Sequence, residues 1–177
     1  MHVVKKNGKT RVCIDFRNLN IVTPKDEYPM PMADMLIDTA SGHYILSLID
    51  GHSGYNQIKI KEIDVSKMAF RCSGALGSYE WVVMPFGLKN ARATYQRAIH
   101  EIFNSLIGDF MEVYIDDVII KSKADEQYLE HLTKTFKRMR LHQLKMNPLK
   151  MCLWSVSSPF FGFLGASKGG GSKCQQD

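Results

Sequence analysis

The stretch MEVYIDDVIIKS, residues 111–122, sets two adjacent aspartates, Asp116 and Asp117, in a run of β-branched and aromatic residues. Such a run reads as strand. Neighbouring side chains in a strand point to opposite faces, so one of two buried carboxylates would be desolvated on each side at heavy cost. At a tight hairpin tip both can instead be exposed at the end of a sheet. The stretch is therefore read as strand, acidic turn, strand.

A second apolar run, HYILSLID, ends in Asp50 and has the same strand-then-acid character. Convergent carboxylates repel one another unless a hard divalent cation neutralises them, and oxygen ligands of this kind suit magnesium. Metal-assisted phosphoryl transfer is the chemistry such a group supports, with two ions about 4 Å apart clamping the attacking and leaving oxygens. Taken alone, each acid serves equally well as a solvated turn or cap.

The rest of the chain bounds these readings. Its 177 residues, 45% hydrophobic and 23% charged, suffice for one ordinary core with subdomains around it. No long uninterrupted apolar run appears, and the basic N-terminus lacks the apolar stretch of a signal peptide, so an intracellular, unsecreted protein without a membrane partner is expected. Cysteines at 13, 72, 152 and 174 form no short zinc-type pair. His100 and His131 fall on predicted helices at no ligand spacing, and no zinc site is expected. The formal charge of +5 favours a polyanionic partner.

Hairpin strands flanking an Asn-Gly pair are predicted over residues 2–16, with a basic tip. Pro24, Pro29 and Pro31 make NLNIVTPKDEYPMP an extended connection. Helical spacing follows over residues 32–39, ending at Gly42, then the strand that stops at Asp50. GHSGYNQIKI reads as turn and then strand, and MAFRCSGALGSYEW as a hairpin turning at Gly74 and Gly77. Two longer helical patterns run through NARATYQRAIHEIFNSLI and EQYLEHLTKTFKRMRLHQL. Trp81, Phe103, Phe110 and Phe136 are assigned to the core. Hairpins interleaved with helices, without regular β-α-β alternation, predict an α+β fold with helices on one face of an antiparallel sheet.

LSLIDGHSGYNQI, MPFGLKNARATYQR, YIDDVIIKS and LKMNPLK, in this order, resemble successive motifs of a reverse transcriptase, specifically the gypsy-type polymerase of plant LTR retrotransposons. The resemblance covers residues 3–151. It implies a fingers and palm fold over 1–151, with interleaved subdomains in a single domain. Residues 152–177 keep only pieces of the family pattern and are expected to be a degenerate or disordered tail, glycine-rich at SKGGGSKCQQD. The family's thumb, connection and RNase H domains are expected to lie outside this sequence.

The resemblance further implies RNA-directed DNA polymerase activity, with Asp50, Asp116 and Asp117 as catalytic and metal-binding carboxylates. Asp50 and Asp116 are the more direct ligands of two magnesium ions, for which manganese can substitute, and the Gly51 carbonyl is a further ligand. Lys5 and Arg11 would grip the triphosphate, Tyr55 would lie under the nucleotide sugar, and Phe86 and Gly87 would border the nascent pair. Lys150 aligns with the general acid for pyrophosphate. The implied partners are a template-primer of RNA or DNA, a dNTP and the rest of a Pol polyprotein. Arg92 departs from the pattern, which has a small or turn-forming residue there. Two alternatives stay open: an inactive remnant of the same fold, and a basic nucleic-acid-binding module using Lys5, Lys6, Lys9 and Arg11.

Overall fold

Three largely apolar runs, ILSLID, MEVY and DVIIKS, become neighbours because each has apolar residues on both alternating faces and can be dry only inside a sheet. They form β3 (Ile45–Asp50), β6 (Met111–Tyr114) and β7 (Asp117–Ser122). With β8 (Cys152–Val156) they make a four-stranded antiparallel sheet of order β6-β7-β3-β8. From Ile45 to Ile49 every residue of β3 is buried.

This computed structural model describes residues 2–4, 8, 10–12, 14–32, 38–39, 41–51, 54–72 and 77–156. The chain forms two units, Met1–Pro29 with Ser53–Tyr95, and Met30–His52 with Gln96–Asp177. Each unit is thus assembled from two separate stretches of sequence.

The sheet belongs to the second unit, and its two faces differ. One carries Ser47, whose hydroxyl is 3.0 Å from the Tyr128 hydroxyl, and Ser122, whose hydroxyl is 2.8 Å from His131 Nδ1. Both partners lie on α4 (Asp125–Leu141), so this is the helix-covered face. Helix α4 buries Tyr128, Thr135 and Met139, a single stripe at helical spacing, and has acids in its first turn and arginines in its last, as the helix dipole favours. On the second face Leu46, Leu48 and Ile119 pack with Tyr114 and Cys152. By the two-residue period of the strands, Asp50 and Asp117 share that second face. Of helix α3 (Ala91–Phe103), Ile99 and Phe103 are fully buried within the second unit.

The first unit holds a two-stranded hairpin of β1 (His2–Val4) and β2 (Thr10–Val12), paired antiparallel with Val3 opposite Arg11. Gly8, in the turn, has φ +75°, which suits glycine in the predicted Asn-Gly tip. Helix α1 (Arg17–Val22) follows, then a 3-10 turn (Gly54–Gln57), α2 (Glu62–Val65) with a second 3-10 turn (Ser66–Met68) directly after it, and a short hairpin of β4 (Phe70–Arg71) and β5 (Ser78–Tyr79).

Several expectations need correction. Helix α1 lies where an extended connection was expected. Its first proline is Pro24, so the ring constraint acts only from Thr23, which is extended (ψ 122°), and leaves the preceding turn free to coil. Cys152–Val156 is a sheet strand and not the start of a tail: Leu48 pairs with Cys152, and Ile45 with Val156. Residues 157–177 lie outside the described residues, as do Gly74 and most of the expected helix over 32–39. Phe103 and Phe110 are core, but Phe136 is 37% exposed and Trp81 only half-buried. Phe136 falls off the stripe of α4 that faces the sheet.

Phe103 is completely enclosed, so Phe103→Ala creates a cavity that the neighbouring strands and helix cannot fill. Urea denaturation is expected to show a loss of about 3–5 kcal/mol, whereas Phe136→Ala changes stability by less than about 1 kcal/mol.

Candidate active site

Three acids meet where β3 ends and the β6–β7 turn begins. Antiparallel pairing sets Asp50 directly opposite Asp117, and residues opposite each other across a ladder point to the same face. Asp116 stands in the turn itself. Its carbonyl accepts the Gly51 N–H at 2.8 Å, which ties the turn to the end of β3.

The turn is held in an unfavourable conformation. Ile115 has φ +53°, a left-handed geometry that a β-branched residue adopts only under constraint, at roughly 1–3 kcal/mol. The constraint is Gln96 of α3, which has no exposed surface. Its Oε1 accepts the Ile115 N–H at 2.6 Å and its Nε2 donates to the Val113 carbonyl at 3.0 Å. One side-chain amide thus supplies the pairing that the turn denies to its own main chain. Sequence reasoning missed Gln96, although the signal was there: it stands at helical spacing with the buried Ile99 and Phe103, where a polar side chain must find a partner.

A fourth segment closes the site. The Asn147 N–H donates to the Asp50 carbonyl at 2.9 Å, and Gly51 forms a bridge with Met146. The Asn147 side chain accepts the Leu149 N–H and starts the 3-10 turn Pro148–Lys150. That turn brings Lys150 Nζ to 2.9 Å from Asp50 Oδ2. Two residues a hundred positions apart in sequence, aligned only by resemblance, are therefore an ion pair.

One lysine does not balance three carboxylates. Burial, then the charge of Asp50, push the Asp116 carboxyl above its usual range, against the pull of Lys150. Burial pushes Asp117 up to about 6, with Asp50 and Asp116 adding to it and Lys150 opposing. Asp116 Oδ1 is buried with no hydrogen-bond partner among the described residues. No group of three or more His, Cys, Asp or Glu side chains among the described residues is gathered into a ready metal cage. The donor set nevertheless fits a hard divalent ion: every acid offers oxygen, one buried oxygen is unpartnered, and positive charge is in deficit.

The other candidates lie in the first unit. Tyr55 is buried edge-on against Phe86 (ring centroids 5.1 Å apart) and Tyr95 (5.4 Å), while Phe86 itself is half-exposed. Gly87 has φ +99°, and a β-carbon there would contact the Phe16 ring. The loop is held by Asn20, a second residue the sequence reading missed: its Nδ2 donates to the Gly87 carbonyl at 2.7 Å and its Oδ1 accepts the Lys89 N–H at 2.8 Å. Arg92 is exposed on α3. Arg11 lies on β2, opposite Val3, with its side chain outside the described residues, as are Lys5, Lys6 and Lys9.

Comparison with known proteins places this arrangement. The fold matches foamy viral protease-reverse transcriptase, with a TM-score of 0.79 and 22% identity over 87% of this chain and 32% of that one for the complex with dsDNA. For the complex with RNA/DNA hybrid the TM-score is 0.76, at 22% identity, covering 86% of this chain and 20% of that one. The architecture is thus that of reverse-transcriptase fingers and palm.

The chain belongs to the family described as Reverse transcriptase (RNA-dependent DNA polymerase), whose model matches residues 3–167. It is 36% identical over 165 residues to Polyprotein P3 of Commelina yellow mottle virus, covering 93% of this chain and 8% of that protein. It is 34% identical over 163 residues to the Retrovirus-related Pol polyprotein from transposon gypsy of Drosophila melanogaster, covering 92% of this chain and 16% of that protein. The Transposon Tf2-3 polyprotein of Schizosaccharomyces pombe is 29% identical across 100% of this chain and 13% of its own length. The chain therefore spans no more than 16% of these relatives.

Two outcomes follow from the site. Gln96→Leu removes both partners of the strained turn at once, and thermal or urea melts are expected to show a loss of about 2 kcal/mol. The raised Asp117 carboxyl means that the folded chain binds a proton more tightly than the unfolded one. Its contribution to stability is greatest below the ordinary value of 3.8 and is lost as pH rises through about 6. In metal-free buffer at pH 7.5, Asp117→Asn is expected to stabilise the fold by roughly 1–2 kcal/mol, a figure discounted for partial solvation. That gain should shrink towards pH 4.

Proposed function

We propose that this chain is the polymerase core of a retroelement Pol polyprotein and transfers nucleotides from dNTP to a primer 3′-hydroxyl on an RNA or DNA template. The observation that carries this reading is the group Asp50, Asp116 and Asp117, crowded at the end of one sheet without enough positive charge.

Asp50 and Asp116, with the Gly51 carbonyl and Asp117 beside them, would hold two magnesium ions, or manganese in their place. When bound, such ions neutralise charge on the attacking, transferred and leaving oxygens of the phosphoryl group. The protein's share is positioning. β3 and β7 hold Asp50 and Asp117 at fixed register, and the Gln96 clamp fixes the turn that carries Asp116. Rigid first partners of this kind cost no reorganisation at the moment of reaction.

The remaining roles follow the family pattern. Lys5 and Arg11 would bind the triphosphate, the arginine through its planar fork and the lysine as a point charge. Tyr55 would lie under the sugar and disfavour a 2′-hydroxyl, its ring held by Phe86 and Tyr95. Phe86 and Gly87 would border the new base pair. Lys150 would donate its Nζ proton to the departing pyrophosphate, which requires its ion pair with Asp50 to open.

Primer extension on poly(rA)/oligo(dT) with magnesium or manganese tests the assignment. Incorporation by the chain, reduced at least about 1,000-fold in Asp116→Asn/Asp117→Asn, is the expected outcome. Equal incorporation by the folded variant would overturn the carboxylate assignment. Absence of incorporation by either, with both folded by circular dichroism, would mean that the chain works only within a longer polyprotein or is an inactive remnant, and would overturn polymerase activity of the chain by itself.

A further inference from the structure

The last two turns of α4 are strongly basic, with Lys134, Lys137, Arg138 and Arg140 and no acidic residue between His131 and Leu141. The helix dipole explains why cations are tolerated at this end. It does not explain why three of them, Lys134, Lys137 and Arg138, line one groove. A depression of about 270 Å³ is lined by Lys134, Lys137, Arg138 and Leu141 of α4 and by Ser105 and Leu106, just past the end of α3. Arg138 Nε is buried with no hydrogen-bond partner among the described residues. Its Nη2 reaches the Ser105 hydroxyl only at 3.4 Å.

An unsatisfied guanidinium N–H in such a place needs an acceptor. Within the groove Lys134 is already engaged by Glu130 at 2.8 Å, so the unbalanced charge is that of Lys137 and Arg138. A guanidinium fork, an ammonium and a hydroxyl together suit the tetrahedral oxygens of a phosphate better than a planar apolar ligand. The volume is below the 300–1,000 Å³ typical of sites that enclose a whole small molecule, which points to one group of a larger anion. The net charge of +5 favours a polyanion as its carrier.

The groove is separate from the carboxylates. Gln96, near the middle of α3, bonds the acidic turn, whereas Ser105 follows the other end of that helix, about 13 Å further along at 1.5 Å per residue. We propose that Lys137, Arg138 and Ser105 form an accessory phosphate-binding groove that holds the backbone of a nucleic-acid strand outside the reaction centre. The proposal concerns binding and does not depend on the chain being catalytically active.

The test is equilibrium binding of a fluorescent DNA duplex to the full chain, without dNTP or divalent ion, across a salt series. The chain is compared with Lys137→Ala/Arg138→Ala and with the charge-keeping Lys137→Arg/Arg138→Lys. The alanine pair is expected to bind roughly tenfold more weakly at low salt and to lower the slope of log K against log salt by about 2, one for each lost phosphate contact. The charge-keeping pair should retain most of both. An unchanged slope in the folded alanine pair would overturn the proposal. So would a groove that takes inorganic phosphate alone, seen as phosphate-dependent thermal stabilisation lost in the alanine pair while duplex binding stays intact. Should the alanine pair fail to fold, the chain carrying a photoreactive benzoylphenylalanine in place of Ser105, which leaves the native cysteines unlabelled, is the second measurement. Crosslinks from position 105 to the duplex support the proposal, and their absence overturns it.

Discussion

The pairing of β3 with β7 is the constraint on which the site depends. In that register Asp50 faces Asp117, and two carboxylates on one face of a sheet repel each other more strongly the less water surrounds them. The dry strands also make the acids costly, and the register is what places them: a slip of one residue would take Asp50 out of opposition to Asp117 and turn Ser47 away from the Tyr128 hydroxyl. Stability is spent here on placing charge. The strands can bear it because Ile45, Ile49, Val118 and Ile120, all almost fully buried, anchor them behind the acids.

The turn repeats the same trade. Ile115 is left-handed where glycine would be relaxed, and the strain is held by a buried glutamine from a helix that is distant in sequence. Asp116 therefore has its position set by α3 as well as by its own hairpin. In the first unit Asn20 acts on the loop at Gly87 in the same manner, by donating to one main-chain group and accepting from another. Side-chain amides are suited to this because they carry a donor and an acceptor on one rigid plane.

Much of the architecture was legible. The acidic turn, the strand ending at Asp50, the Asn-Gly hairpin and the two long helices all rest on local periodicity or turn chemistry, and such signals are carried by residues close in sequence. The family could be read from four short motifs, and the same motifs contain the three aspartates that the fold gathers at the end of β3 and in the β6–β7 turn. Helix α1 and strand β8 were not legible: six residues before a proline, and five after a 3-10 turn, are too short for periodicity to distinguish from connection or tail. Strand β8 exists because the edge of β3 offers it a ladder.

By itself, the sequence determined which residues could be buried, where the chain must turn, and that three aspartates follow or interrupt apolar strands. Tertiary structure alone decided that Asp50 opposes Asp117, that Lys150 pairs with Asp50 across a hundred residues, and that Gln96 clamps Ile115. The reason is physical. Burial preference and backbone propensity are properties of a residue and its near neighbours, whereas register, ion pairing and the satisfaction of a buried amide depend on segments that meet only after the chain has folded.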